Sequence, residues 1–333
     1  MTAITRPIVR WHGGKFRMAA RLIELFPAHR VYTEVYCGGA SVLMQKPRCY
    51  SELVNDLDRA IIEVFYVLQD RKKAARLEAL LRVTPFSREE FELSYRPARN
   101  DVERARRTII RSFMGFGSDS VTRLKASRAG FNTRISSVMC TGFRWNSNRS
   151  GTTAATDWGN YPDQISAFCE RLQGVTIERR DALSIIEKID RPDCLHYVDP
   201  PYPWTVRSSR SEHRYRYEMS DQDHERLAHV LKNVFGMVVI SSYRGSLYDR
   251  LYKNWERIAW TGGQFCSANS RSQTRTECVW LNAAAYDGLR QKRLQLSLPD
   301  TPPDSPEGGG AGTAMATGEE PPSAVLSTRM AHA

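Results

Sequence analysis

Val31-Tyr32-Thr33-Glu34-Val35-Tyr36-Cys37-Gly38-Gly39-Ala40-Ser41-Val42-Leu43-Met44 is the stretch on which the fold turns. Its first six residues alternate and are rich in β-formers, five small residues follow, and the apolar run from Val42 reads as the start of a helix. Strand, small-residue turn and helix are the layout of a Rossmann-like nucleoside site, where residues without bulk let the chain pass close to a ligand. Glu52-Leu53-Val54-Asn55-Asp56 then reads as a second short strand ending in an acid, a position from which a carboxylate commonly takes a ribose hydroxyl pair. The turn and Asp56 reinforce each other, because a lone acid after a strand is usually a cap or simply solvated. Asp58 is a candidate N-cap for the next helix.

Upstream, Trp11-His12-Gly13-Gly14-Lys15 precedes an amphipathic run from Phe16 to Phe26 that Pro27 ends, a glycine loop leading into a helix. Paired glycines let backbone approach a ligand, a helix N-terminus favours a carboxylate, and Lys15 adds a cation. Alone, Gly-Gly-Lys is an ordinary loop more often than a ligand site. Downstream, residues 59–81 read as one or two helices with a polar break at 69–73, and Pro85 and Pro97 punctuate the chain. Between Arg104 and Arg149 ten Lys or Arg stand against one acid, Asp119, with aromatics and amides interleaved. Arg111, Arg123, Lys125, Arg128, Asn132, Arg134 and Arg144 are the candidate nucleic-acid contacts there, since such bases meet phosphates and Asn, Arg and aromatic rings read or unstack bases.

Residues 157–161 read as a loop, 162–172 as a helix and 175–178 as a strand. Asp181 either faces an adenine amino group or caps the helix at 182–189. The run Leu195-His196-Tyr197-Val198-Asp199-Pro200-Pro201-Tyr202 is a buried strand that stops in a mouth. Two prolines give a stiff segment whose carbonyls escape a regular ladder, so Asp199 and a free carbonyl are two acceptors for a substrate amino group, and Tyr202 offers a flat face to a heterocycle. Arg207 to Tyr217 suggests a mobile, phosphate-facing loop. Ser220 opens a helix with Asp223 as capping-box partner, 237–241 is a buried strand, 247–255 a helix, and 256–259 with 277–281 a closing pair of strands. The loop at 261–276, rich in Ser, Gln, Asn and Arg, is a further candidate to face DNA.

At 333 residues with 41% hydrophobic and 26% charged residues, the chain has the balance of a soluble globular protein with ample core. No apolar stretch approaches membrane-spanning length and no secretion signal is evident, which makes the cytoplasm the expected compartment. Seven scattered cysteines without Cys-x-x-Cys point to reduced thiols, with neither a disulfide framework nor a metal site. The net charge of +11 combines −4 beyond residue 296 with +15 before it, a body that suits a polyanion.

With these pieces in this order, over roughly residues 7–282, the chain resembles the Dam-type (α-class) DNA N6-adenine methyltransferases. The resemblance rests on Trp-x-Gly-Gly-Lys at 11–15, the turn at 36–41, Asp56, the basic insertion with Gly130-Phe131-Asn132, and Asp199-Pro200-Pro201-Tyr202. It implies a Rossmann-like α/β S-adenosylmethionine-dependent methyltransferase fold with an inserted, mainly helical DNA-recognition domain. The expected division is a catalytic domain at 1–70 and 161–296, the insertion at 71–160, and a disordered tail at 297–333. The resemblance also implies S-adenosylmethionine held by Trp11, Gly13, Gly14, Lys15, Glu34, Tyr36, Gly38, Asp56, Asp181 and Asp199, catalysis by Asp199, Pro200, Pro201 and Tyr202 on a flipped-out adenine, double-stranded DNA as partner, and no metal, membrane or obligate protein partner. The alternatives are methylation of cytosine N4 or another amino group, and a non-catalytic DNA-binding protein on a methyltransferase frame. Two departures from the family pattern stand out. The last glycine of Phe-x-Gly-x-Gly is Ala40 here, and Asn-Arg-Tyr-Gly-Tyr-Asn is replaced by residues 111–117, so Gly-Ala-Thr-Cys is not assumed as the recognition site. The absence of a nuclease motif favours a solitary enzyme over a restriction-modification pair.

Overall fold

The computed structural model describes residues 3–117, 142–144, 152–207, 215–260 and 276–297. In chain order the elements are α1 (Ala19–Glu24), β1 (Val31–Glu34), β2 (Ser51–Asn55), α2 (Arg59–Gln69), α3 (Arg71–Arg82), α4 (Arg88–Leu93), α5 (Asp101–Met114), α6 (Ala154–Gly159), α7 (Ile165–Leu172), β3 (Val175–Glu178), α8 (Ala182–Ile189), β4 (Cys194–Val198), α9 (Asp221–Lys232), β5 (Met237–Tyr243), α10 (Ser246–Leu251), β6 (Glu256–Trp260), β7 (Glu277–Leu281) and α11 (Ala283–Ser297). The strands form one sheet in the order β3-β2-β1-β4-β5-β7-β6. Pairings from β3 to β5 are parallel, and β7 runs antiparallel to both β5 and β6. The strand order reverses between β1 and β4, which opens a crevice beyond their carboxyl ends.

Both sheet faces are covered, as the apolar strands require. Side chains alternate between two cores: Val239, Val279 and Leu281 join one, whereas Val238, Ile240, Cys278 and Trp280 join the other. Helices α8, α9 and α10 cover the second core. The first continues without a break from the sheet into Leu77, Phe91, Ile109 and Phe113 of α3 to α5, and on to Trp158 and Phe168. Over the described residues, helices α3 to α5 of the expected insertion therefore share one core with the sheet.

Local outcomes follow capping chemistry. The run at 59–81 is two helices, because Asp70 ends α2 and accepts from Lys72 and Lys73 N–H to start α3. Asp58 caps α2, and Ser220 and Asp223 form the expected capping box on α9. Three expectations need correction. Residues 42–44 belong to tight turns rather than a regular helix. The predicted helix at 16–26 is regular only over α1. The predicted loop at 157–161 overlaps α6, where buried Trp158 donates to the Thr84 carbonyl at 2.8 Å. Among the described residues no helix is long and apolar enough to cross a membrane, and no group of three His, Cys, Asp or Glu is placed to hold a metal ion. Residues 298–333 of the expected tail and residues 261–275 lie outside the described residues.

Candidate active site

The ends of the parallel strands supply the site. Glu34 closes β1 with its carboxyl turned inward, accepting from the Tyr32 hydroxyl at 3.2 Å and from Leu43 N–H at 3.0 Å. Burial outweighs those bonds and pushes it up to about 8. The chain then bends through Gly38, whose φ of +46° is a left-handed conformation; a Cβ there would lie 2.5 Å from the Trp11 ring. Asp56, beyond β2, clamps this turn: one oxygen accepts from Gly38 N–H at 2.9 Å and the other from Asp58 N–H at 2.8 Å, while burial raises its pKa to about 6. Asn55 fastens three strand ends together through Val35 O, Arg180 O and Arg180 N–H. Sequence patterns carry no signal for that clip beyond an amide at a strand end.

Beyond β4, Asp199 meets Lys15. The ammonium lies 2.7 Å from both carboxylate oxygens and 2.9 Å from the Gly13 carbonyl, 4.8 Å from the Tyr202 ring centroid, and 3.8 Å from Glu277 on β7. Burial raises the Asp199 pKa to about 6, opposed by Lys15 and assisted by Glu277. Tyr202 is buried, donates its phenol hydrogen to Glu277 and packs edge-on against Tyr243 at 4.8 Å between centroids. Pro200 is buried beside it. Glu277 was legible only as part of a closing strand, since strand patterns do not reveal which distant side chain a buried acid meets.

A cavity of about 400 Å³ lies over these strand ends, and Trp11, Gly13, Gly14, Lys15, Glu34, Tyr36, Gly38, Asp56, Asp181, Asp199 and Pro201 all line it. Asp181 also caps α8 through Ser184 N–H at 3.1 Å, so the capping alternative is realised at the cavity wall. The opposite wall is residues 215–219. The expected phosphate-facing character of this segment is not seen in its described part, because the basic groups are paired inward: Arg216 with Asp58 at 2.9 Å, and Arg207 with Glu218 at 2.8 Å. Seven Asp or Glu side chains against three Lys or Arg line the cavity of a chain with net charge +11; Glu34 holds its proton at neutral pH, and the other six still leave the lining with an excess of acids.

The expected DNA contacts fare differently. Arg111 is buried, donating to the Ser94 carbonyl and to Thr108 and lying over the Tyr95 ring, so it serves the interior rather than a phosphate. Arg104, Arg106 and Arg107 pair with Glu63, Glu90 and Glu103, acids that precede the basic stretch in sequence. Arg144 lies 3.9 Å from Asp157. Arg123, Lys125, Arg128, Asn132 and Arg134 lie outside the described residues.

A family model, D12 class N6 adenine-specific DNA methyltransferase, matches residues 11–261. The chain belongs to this family. It is accordingly an adenine-specific DNA methyltransferase, which sets aside the cytosine-N4 and non-catalytic alternatives. No curated protein matches the chain. The methyltransferase's matched region spans every strand end that lines the cavity, and it stops short of β7.

Proposed function

We propose that this methyltransferase binds S-adenosylmethionine in the acidic cavity and transfers its methyl group to N6 of an adenine flipped out of double-stranded DNA onto Asp199-Pro200-Pro201-Tyr202. The observation that carries this reading is the Asp199 carboxylate, half-buried at the β1–β4 crevice, which lines the acidic cavity and is joined through Lys15 to the Tyr202 ring just behind the cavity wall. S-adenosylmethionine, when bound, supplies an electrophilic methyl group on a positively charged sulfur. The cavity suits such a ligand: its carboxylates favour the sulfonium and ammonium, Asp56 suits ribose hydroxyls, Arg226 suits the carboxylate, and Trp11 and Tyr36 offer flat faces.

A base stacked in a duplex cannot reach this depth, so the adenine must leave the stack. The Asp199 carboxylate and the Pro200 carbonyl accept the two N6 hydrogens, leaving the nitrogen lone pair free for the methyl, and Tyr202 stacks on the ring. The proton that N6 gives up passes to an Asp199 oxygen and on to solvent. Target reading belongs in this proposal to the segment 71–160.

The test is transfer of a tritiated methyl group from S-adenosylmethionine to DNA, followed by nucleoside analysis, for the wild type, Asp199→Ala and Asp199→Asn. Labelled N6-methyladenine from the wild type, with loss of transfer but retained DNA binding in both variants, is expected. Equal loss of binding and turnover counts against the role given to Asp199.

A further inference from the structure

Glu277 lies beyond the residues that the family model matches, yet it touches two groups of the proposed site. It is buried on β7, opposite Tyr243 of β5 in the antiparallel register, and reaches the cluster from two strands beyond β4. The Tyr202 phenol donates to its Oε1, the same oxygen that stands 3.8 Å from Lys15 Nζ. Lys15 meanwhile holds both Asp199 oxygens at 2.7 Å.

That arrangement bears on the task given to Asp199. An N6 amino group shares one of the oxygens that Lys15 now holds. Each oxygen accepts a second hydrogen bond, but the incoming N–H competes with the ammonium there, and a contact that the ammonium loses leaves a buried donor that is costly unless it finds another acceptor. The Gly13 carbonyl keeps one N–H at 2.9 Å. For the released one, Glu277 Oε1 is the acceptor at hand, and a shift of about 1 Å brings the pair to the usual length of a charge-assisted bond. The phenol hydrogen bond to that same oxygen, with the edge contact to Tyr243, fixes the rotation of the Tyr202 ring on which the base stacks.

We propose that Glu277 is a positioning residue for methyl transfer: it takes up Lys15 as Asp199 turns to the substrate amino group, and it sets the plane of Tyr202. The proposal rests on the assignment of Asp199 and Tyr202 made above. Among the described residues, the titratable groups that interact with Asp199 are Lys15, Glu277, Tyr202, Glu34, Tyr197, Tyr215 and Tyr248. Glu277 acts to raise the Asp199 pKa, so replacing it with an uncharged side chain moves the acid limb of the pH profile to lower pH.

The test is single-turnover methylation as a function of pH with the full-length chain. Glu277→Gln keeps an acceptor for the phenol but loses the charge. It is expected to bind DNA and S-adenosylmethionine within about threefold of wild type, to transfer the methyl about 10- to 100-fold more slowly, and to shift the acid limb to lower pH by about half a unit or more. Glu277→Asp restores the charge and is expected to recover part of the rate with the limb at its wild-type position. It carries the test if the Gln variant shows no cooperative unfolding transition. A wild-type rate and limb in Glu277→Gln overturn the proposal, as does a slower rate with an unshifted limb, or a limb displaced in Glu277→Asp. Turnover by Asp199→Asn sinks the underlying assignment instead. A dead Asp199→Asn beside an unaltered Glu277→Gln sinks only the role of Glu277.

Discussion

Ala40, which replaces the family's glycine, has a φ of +48° and is the one non-glycine residue with positive φ among those described. A side chain in this conformation costs about 1–2 kcal/mol. Replacement by glycine removes that strain, but it forfeits about 0.8 kcal/mol of buried methyl and adds about 0.5–1 kcal/mol of chain entropy to folding. The contributions nearly cancel. The methyl is fully buried in the core and Ala40 is absent from the cavity wall, whereas Gly38, Gly39 and Ser41 line it. Ala40→Gly is therefore expected to change stability by less than about 1 kcal/mol and to leave S-adenosylmethionine affinity, measured by calorimetry, within about twofold. A tenfold gain in affinity would show that the methyl reaches the ligand.

Glu34 makes a pH prediction at the same scale. Its ordinary value is 4.5 and its folded value about 8, so between those pH values the folded chain holds a proton that the unfolded chain has released. Stability then falls as pH rises through that window, by linkage. Glu34→Gln mimics the protonated acid, and its melting temperature should decline less between pH 6 and 8.5 than that of the wild type. Parallel curves for the two proteins would refute the assignment of the proton to Glu34.

Among the elements, α5 shows where reading the sequence stops. Its arginines sit in a stretch that contains only one acid, and that imbalance reads as a nucleic-acid face. The folded helix brings up Glu63 and Glu90 from other elements and Glu103 from its own first turn, all outside that stretch. Linear counting misses a partner supplied across a helix interface. Arg106, whose side chain is 11% exposed and held between Glu90 and Glu103, belongs to stability. Arg106→Ala should lower stability by about 1–3 kcal/mol in denaturant titration while the salt dependence of DNA binding stays at its wild-type slope. A reduced slope would return Arg106 to the phosphate backbone. The strands were more legible, because a parallel strand covered on both faces must be almost wholly apolar, as 237–240 is and as 194–198 is apart from the buried His196. Helix α6 was lost to its Gly, Asp and Asn, which read as loop, although Trp158 anchors it. Helix α11 buries only Ala285 and Leu289 and leaves little pattern to find.

For the whole molecule, the residues that line the cavity were readable because the crevice gathers consecutive loops at strand ends, each with its own local signature. The sharing of one core between distant segments was not, because no local signature records it. Phe91 of α4 is fully buried in the core that also holds Val239 of β5. Phe91→Ala should cost about 3–5 kcal/mol and lower one unfolding transition seen at the same midpoint by circular dichroism and tryptophan fluorescence. Two separated transitions would mean that the helices fold as a unit of their own.

The insertion of β7 between β5 and β6 also bears on how the protein is made. Lys15 precedes every strand of the sheet in the chain and Glu277 stands on the last of them, yet they meet in one buried cluster. A nascent chain can build the parallel strands and their glycine turns early, but without the final antiparallel strand it has no acceptor for the Tyr202 phenol and an open sheet edge along β5. A chain without its last strand thus lacks both the cover on β5 and the Glu277 contacts to Tyr202 and Lys15, so the sheet and this buried cluster are completed together.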